Sequence, residues 1–181
     1  VPTKVEPLKS LVLEKRDKTS IMQKTIFSIN NIPAILWGEN SEKVILAIHG
    51  NMSDKADVPI RIVAENALAN GWQVLSFDLP EHGDRINEDT PCKVQYCVED
   101  LRVVMQYTKM NWKHIRLFAN SMGAYFSLLA YPNEPIEKAW FLSPIVDMQR
   151  LIQNMMMWFS VTEKELENKQ TISTPIGQNL Y

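Results

Sequence analysis

The chain has 181 residues, of which 45% are apolar and 22% are charged, so it is long enough for one domain with a sizeable core and too short for two ordinary ones. Lys and Arg number 19 against 21 Asp and Glu, and this near-neutral balance argues against binding to a nucleic-acid backbone, which needs a clustered basic face. The sequence has no apolar run of the roughly 18 residues that span a membrane, and no secretory signal. We therefore expect a soluble, cytoplasmic domain that binds no nucleic acid and does not span a membrane.

Strand and helix patterns alternate along most of the chain. Residues 1–24 carry several charges in a loose pattern and are predicted to form a tail or a peripheral segment. Two short strands then flank Asn30-Asn31, a turn signal that favours a hairpin. Later strands are unbroken apolar runs, as expected of strands buried on both faces, and the helices between them show apolar residues at helical spacing. The predicted strands are 25–29, 32–38, 43–50, 72–80, 114–121 and 138–144, and the predicted helices are 60–68, 94–108 and 123–131.

This alternation predicts βαβ units, and therefore an α/β fold with a mostly parallel sheet flanked by helices and an antiparallel hairpin at its edge. After Asp147 the alternation stops. An apolar helical stretch at 151–159 and a charged one at 162–169 precede a predicted loop at 171–181. We interpret residues 148–181 as the start of a cap that leaves the sheet. Its residues 155–159 either line an acyl pocket or form ordinary core contacts of the cap.

The two cysteines, Cys92 and Cys97, are too few for a disulfide framework, and C-x4-C alone is not a metal signature. Cys97 falls on the apolar stripe of the helix predicted at 94–108 and is interpreted as a small core residue; neither cysteine is predicted to be a nucleophile. With six glycines, the sequence contains neither G-x-G-x-x-G nor a phosphate-binding P-loop, which argues against a nucleotide-binding Rossmann domain. We expect no cofactor and no metal.

Three segments follow predicted buried strands, at the carboxyl ends where an open parallel sheet gathers its functional groups. They are His49–Met52, Asp78–Gly83 and Ala119–Gly123. In the third, Ser121 lies at a sharp corner between a strand and a helix. Such a corner requires small flanking residues and projects the serine oxygen away from the backbone.

The amide of Met122 follows at the helix N-terminus, where it can stabilise a developing oxyanion. A serine in this pattern can also be an ordinary helix N-cap, so the corner alone leaves both interpretations open.

Together these segments resemble the α/β-hydrolase family. A-N-S-M-G is similar to the family's nucleophile elbow G-x-S-x-G, with Ala119 in place of the first glycine. H-G-N-M is similar to the oxyanion loop, which implies the amide of Asn51 as a second donor. F-D-L-P-E-H-G-D-R is similar to the family's D-x-P-G-H-G-x-S, from which Glu81 and Arg85 depart. The resemblance covers roughly residues 25–147 and implies an α/β-hydrolase core there.

The resemblance implies a serine hydrolase that cleaves an ester or thioester of a small or acyl-bearing substrate through an acyl-enzyme on Ser121. It also implies that His49 shapes the oxyanion loop and is not catalytic. We interpret His82 as structural and His114 as a surface residue. Lys55 either pairs with a carboxylate or faces solvent, and we expect it to face solvent.

The family orders its triad as serine, acid and histidine, whereas all three histidines here precede Ser121. Asp147 is a candidate acid, and the histidine base is missing from the sequence. About 60 further residues, in two strand–helix units, would complete the pattern, so we interpret the fold as incomplete at the C-terminus. We expect the isolated chain to be inactive and to form homo-oligomers through an exposed sheet edge. The alternative is a non-catalytic α/β-hydrolase-like protein that binds a small ligand.

Overall fold

The computed structural model describes residues 22–177 and 179–181, so the predicted tail at residues 1–24 lies almost entirely outside the described residues. Strands and helices alternate as the sequence predicts, and two more helices follow the last long strand. The strands are β1 (Lys24–Ile29), β2 (Ile32–Trp37), β3 (Lys43–Ile48), β4 (Gln73–Phe77), β5 (His114–Asn120), β6 (Ile136–Leu142), β7 (Ile172–Ser173) and β8 (Asn179–Leu180), and the helices are α1 (Val58–Leu68), α2 (Val94–Asn111), α3 (Met122–Ala130), α4 (Met148–Trp158) and α5 (Glu163–Lys169).

Six strands form one sheet in the order β1-β2-β4-β3-β5-β6, and β3 to β6 run parallel. The hairpin of β1 and β2 adds to one edge in antiparallel pairing, as predicted. Its turn residues Asn30 and Asn31 have φ of 47° and 68°. Two consecutive positive φ angles give the turn whose twist matches a hairpin, and asparagine tolerates this conformation better than most residues.

Helices cover both faces of the central strands. Val44, Leu46 and Ile48 of β3 pack into a core with residues of α2 and α3. Ile45 and Ala47, which point to the opposite face, pack into a second core with residues of α1. Burial on both faces explains why these strands are continuous apolar runs in the sequence.

Strand β6 differs from the prediction of a fourth buried strand. It pairs with β5 on one side and is the last strand of the sheet among the described residues. Trp140, Phe141 and Leu142 are 38%, 39% and 45% exposed. The apolar run predicted the strand correctly and its burial incorrectly, because burial depends on neighbours that the described chain does not place there. The expected uncovered apolar edge is therefore present.

The segment after β6 contains α4 and α5, at positions close to the predicted helical stretches. The predicted loop at 171–181 is wrong in part, because β7 and β8 pair there as a short antiparallel hairpin. Leu180 of this hairpin is buried. Among the described residues, no helix combines the length and apolar character needed to cross a lipid bilayer.

Candidate active site

Ser121 occupies the tight corner between β5 and α3. Its backbone has φ of 49° and ψ of −112°, a region that non-glycine residues rarely adopt. The chain holds this conformation through backbone bonds on both sides, from the Ser121 amide to the Leu142 carbonyl at 2.9 Å and from the Ile145 amide to the Ser121 carbonyl at 3.3 Å. The side chain does not cap α3, and within the described residues its hydroxyl has no hydrogen-bond partner. Ser121 therefore occupies the N-cap position of α3 without acting as a side-chain cap.

The residues around the corner are small because the backbone segments nearly touch. A Cβ atom on Gly123 would overlap the carbonyl oxygen of His49 and the side chain of Ile48. A Cβ atom on Gly50 would lie 3.2 Å from the Cβ atom of Ser121. The strand-to-helix corner and the loop after β3 therefore pack directly against each other, and only glycine permits that approach.

This packing brings two backbone segments with unbonded amides to the same end of the sheet. Met122 is the first residue of α3, where helical amides lack an acceptor in their own helix. Asn51 follows Gly50 in the loop after β3. Within the described part of the chain, neither the Met122 amide nor the Asn51 amide has an acceptor. These are the two amides that the sequence analysis named, and, as far as the structure describes the chain, both are free to donate to a ligand.

His49 is fully buried, and both of its ring nitrogens are bonded. The amide of Leu79 donates to Nε2 at 3.0 Å, so the proton lies on Nδ1, which donates to the Gly50 carbonyl at 2.7 Å. Burial lowers the pKa of His49 to about 4, and the ring is neutral at pH 7. His49 joins the loops after β3 and β4, which agrees with its predicted structural role.

The ring of His82 lies against that of His49 in a tilted arrangement, with ring centroids 5.2 Å apart and planes at 50°. Its Nδ1 lies 2.7 Å from the Pro80 carbonyl, and its Nε2 lies 3.2 Å from Oδ1 of Asn51. Burial lowers the pKa of His82, but hydrogen bonds to the Cys92 thiol and to the Pro80 carbonyl raise it above its ordinary value overall. The third histidine, His114, is exposed at the start of β5, at the opposite end of the sheet, as predicted.

A buried ion network fixes the loops around this site, and the sequence interpretation missed it. Lys55 is only 6% exposed, so the prediction that it faces solvent is wrong. Its Nζ lies 2.5 Å from Asp78 and 2.8 Å from Asp84. Asp78, which has no exposed surface, also accepts the amides of Lys55 at 2.8 Å and Asp84 at 2.9 Å. A lysine and an aspartate 23 positions apart show no spacing from which this pairing could be read.

Glu81 and Arg85, the two departures from the family motif, both have structural partners. Glu81 stands where the family has glycine, and its φ of 60° is the left-handed conformation that favours glycine. Its carboxylate accepts the Cys92 amide at 2.9 Å and the hydroxyl of Tyr181. Arg85 is buried, and its guanidinium donates to Asp100 of α2 at 2.5 Å. These contacts hold the motif to α2 and to the C-terminal hairpin.

A cavity of about 890 Å³ lies beside the corner. Asn51 and Met122 line it, together with His82, Cys92 and Tyr181, while Ser121 itself is not among the lining residues. Further apolar lining comes from Met52, Ile86, Val94, Phe126, Met148, Ile152 and Leu180.

Helix α4 supplies Met148 and Ile152 to this cavity and places residues 155–159 elsewhere. Met155 is buried, whereas Met157 and Trp158 are exposed, so of the two predicted alternatives these residues do not line the cavity, and only Met155 is buried as expected of a core contact. Asp147, the candidate acid, is exposed and caps α4 by accepting the Arg150 amide at 2.9 Å. Within residues 22–177 and 179–181, no group of three His, Cys, Asp or Glu side chains is arranged to hold a metal ion.

Comparison with known proteins gives no matching family model and no matching curated protein. Solved structures do match. An esterase of Pyrococcus furiosus superposes with a TM-score of 0.63 at 22% identity over 83% of this chain and 60% of its own. Est1E of Butyrivibrio proteoclasticus, solved with ferulic acid bound, gives a TM-score of 0.68 at 19% identity over 86% of this chain and 66% of its own. This chain has the α/β-hydrolase fold.

A predicted CIB-like hydrolase of Thermoplasma acidophilum is a third match, with a TM-score of 0.53 at 16% identity over 74% of this chain and 68% of its own. This chain thus spans 60%, 66% and 68% of the lengths of these three proteins. The segment predicted to resemble the family, residues 25–147, contains the sheet and the corner at Ser121.

Proposed function

We propose that this protein is a serine hydrolase that cleaves an ester or thioester through an acyl-enzyme on Ser121. The observation that carries the proposal is the backbone of Ser121, held at φ of 49° with a hydroxyl that has no partner within the described residues. A strained conformation of this kind persists only where the surrounding structure enforces it, and such residues concentrate at active sites.

The proposed reaction has two steps. The Ser121 oxygen adds to the substrate carbonyl as its proton passes to a base, and the alcohol or thiol then leaves with that proton, so that the acyl group remains on Ser121. Water adds to this ester in the same way and releases the acid. In both steps the carbonyl oxygen becomes an oxyanion. The amides of Asn51 and Met122 are our proposed donors to it, and one such donor is typically worth about 2.7–4 kcal/mol in the transition state.

The base is the component that we assign to a residue outside this sequence. His49 uses both ring nitrogens in backbone hydrogen bonds, and His114 lies at the opposite end of the sheet. His82 bonds to Asn51 and Pro80. Asp147 remains our candidate for the acid that would orient the missing histidine, and it is exposed at the N-cap of α4, in the segment that follows β6.

The cavity favours an acyl-bearing substrate. Methionine, isoleucine and phenylalanine side chains line much of it, and flexible apolar groups of this kind suit an acyl chain better than a sugar. Met148 and Ile152 come from α4, which supports our interpretation of residues 148–181 as the start of a cap over the α/β-hydrolase core at 25–147.

The alternative is an α/β-hydrolase-like protein that binds a small ligand without catalysis. The observation in its favour is that no histidine of the described chain bonds to the Ser121 hydroxyl. In that case the corner would be retained for the fold, and the cavity would be the binding site.

Reaction of the native protein with a fluorophosphonate probe separates the two functions, since the probe phosphonylates a serine only when a base activates it. We expect one probe per molecule, mapped to Ser121 by peptide mass spectrometry and absent in Ser121→Ala. Ser127→Ala is the matched control, because Ser127 is also on α3 but its hydroxyl is buried against the Ala124 carbonyl at 2.9 Å. An unlabelled Ser121 in native protein that still binds an acyl ligand would support the non-catalytic alternative.

A further inference from the structure

The two cysteines lie against each other at the wall of the cavity. Sγ of Cys92 is 3.6 Å from Sγ of Cys97. Cys97 is fully buried in the first turns of α2, whereas Cys92 is half-buried in the irregular segment before that helix and lines the cavity. The pair therefore combines one thiol that small molecules can reach with one that they cannot.

The surroundings of the two thiols also differ. Its contact with the Cys97 thiol lowers the pKa of Cys92 against the opposing effect of burial, and the interaction of Cys92 with His82 lowers this pKa further. The same contact and burial raise the pKa of Cys97. Since the thiolate is the reactive form, Cys92 is the nucleophile of the pair and Cys97 remains a protonated neighbour.

The sulfur atoms must approach from 3.6 Å to about 2.05 Å to form a disulfide. Cys97 is fixed by the helix, so the movement falls to Cys92. Cys92 lies outside regular structure, and its amide is held by Glu81 at 2.9 Å.

We propose that Cys92 and Cys97 are a redox site, in which a hydroperoxide oxidises Cys92 and Cys97 resolves the product as an intramolecular disulfide. The Cys92 thiolate attacks the peroxide, the O–O bond breaks, and Cys92 becomes a sulfenic acid while the alcohol or water leaves with a proton. The sulfur of Cys97 then attacks Cys92, the S–O bond breaks, and water leaves with the Cys97 proton. The two thiols are oxidised by two electrons and the peroxide is reduced by two. A dithiol reverses the step by exchange.

The site lies beside the proposed active site but does not depend on it. Oxidation would remove the Cys92 thiol that bonds to His82, and His82 in turn contacts Asn51 at 3.2 Å. The disulfide would therefore change the cavity wall next to the proposed oxyanion donor.

Brief treatment of the native protein with hydrogen peroxide, followed by intact mass and peptide mapping, tests the redox site without an activity assay. We expect a mass lower by two hydrogens, a crosslinked peptide joining Cys92 to Cys97, and recovery of the original mass with dithiothreitol. In Cys97→Ser we expect a sulfenic acid on Cys92 that dimedone traps, and in Cys92→Ser an unmodified Cys97. His82→Gln should slow the reaction of Cys92 with iodoacetamide several-fold.

The decisive measurement is made on the wild-type protein, so the proposal can be overturned even if a variant fails to fold. Peroxide-treated wild type that retains two alkylatable thiols after unfolding would overturn it. A disulfide that joins two molecules would also overturn the proposal. Oxidation of Cys92 to the same extent in folded and urea-unfolded protein would do so as well.

Discussion

Gly123 is the position at which the corner between β5 and α3 has no room for a side chain. A Cβ atom there would overlap the backbone oxygen of His49, which is itself fixed by the sheet. We expect Gly123→Ala to lower the free energy of unfolding by about 3 kcal/mol, because the backbone must move to relieve the overlap. Gly71→Ala is the matched control, since Gly71 has open space around it and a φ of 72°, and its cost should be about 1 kcal/mol of backbone strain. Urea denaturation measures both; equal losses would contradict the packing argument.

His49 should make the stability depend on pH below neutrality. Burial lowers its pKa from 6.5 to about 4 in the folded state, so between these values the unfolded chain binds more protons than the folded one. Its contribution is therefore complete above pH 6.5 and is lost as the pH falls towards 4, by roughly 3 kcal/mol in total.

His49→Gln checks the assignment, because glutamine can also donate and accept a hydrogen bond but does not titrate. The difference in free energy of unfolding between wild type and variant should shrink as the pH falls from 6.5 to about 4. Ionisable groups that do not interact with His49 are common to both proteins and cancel. A difference that stays constant with pH would show that His49 does not titrate in this range.

The residues whose positions follow from the sequence are those set by local backbone geometry. Ser121, Asn51 and Met122 lie where strand ends predicted them, because a strand-to-helix corner leaves a local pattern of small residues. Lys55 was misjudged, since its pairing with Asp78 depends on two loops meeting in space. Glu81 could not be predicted for another reason. Its φ of 60° is unfavourable for a residue other than glycine, and its contact with Tyr181 beside the C-terminal hairpin holds it there.

Among the elements, every strand of the main sheet was predicted from its apolar pattern. A pattern reports how apolar a segment is and does not report what covers it, so β6 was predicted to be buried although it is the exposed edge. The two-residue strands β7 and β8 were missed because such short pairings leave no periodicity.

The exposed edge at β6 should cause the 181-residue chain to self-associate. Trp140, Phe141 and Leu142 combine apolar surface with unpaired strand groups, which is the arrangement that recruits another chain. We expect association that rises with concentration in sedimentation velocity, and a shift towards monomer in Phe141→Lys. Ile26→Lys is the control, because Ile26 is 65% exposed on β1 at the opposite edge. If both substitutions act equally, or if the wild type stays monomeric, β6 is not the associating edge.

At the scale of the whole molecule, three structural connections converge on one end of the sheet. Gly50 and Gly123 allow the loop after β3 to contact the corner at Ser121, and Asp78 joins the loop after β4 to Lys55. Glu81 joins that loop to the C-terminal hairpin through Tyr181. These contacts fix the loops beside Ser121, while no described histidine is hydrogen-bonded to its hydroxyl.

Because no described histidine is bonded to Ser121, we predict that the 181-residue chain alone has no ester turnover that depends on Ser121. Without an imidazole hydrogen-bonded to it, a serine hydroxyl is a poor nucleophile at neutral pH, and no described histidine bonds to the Ser121 oxygen. Hydrolysis of a nitrophenyl ester by the purified chain should therefore equal that of Ser121→Ala, with Ser127→Ala as the folding control on the same helix. Turnover that disappears in Ser121→Ala alone would mean that a base within these residues, with His82 the first to examine, reaches Ser121 in solution. The proposed reaction would then survive, and the assignment of its base to a residue outside this sequence would be wrong.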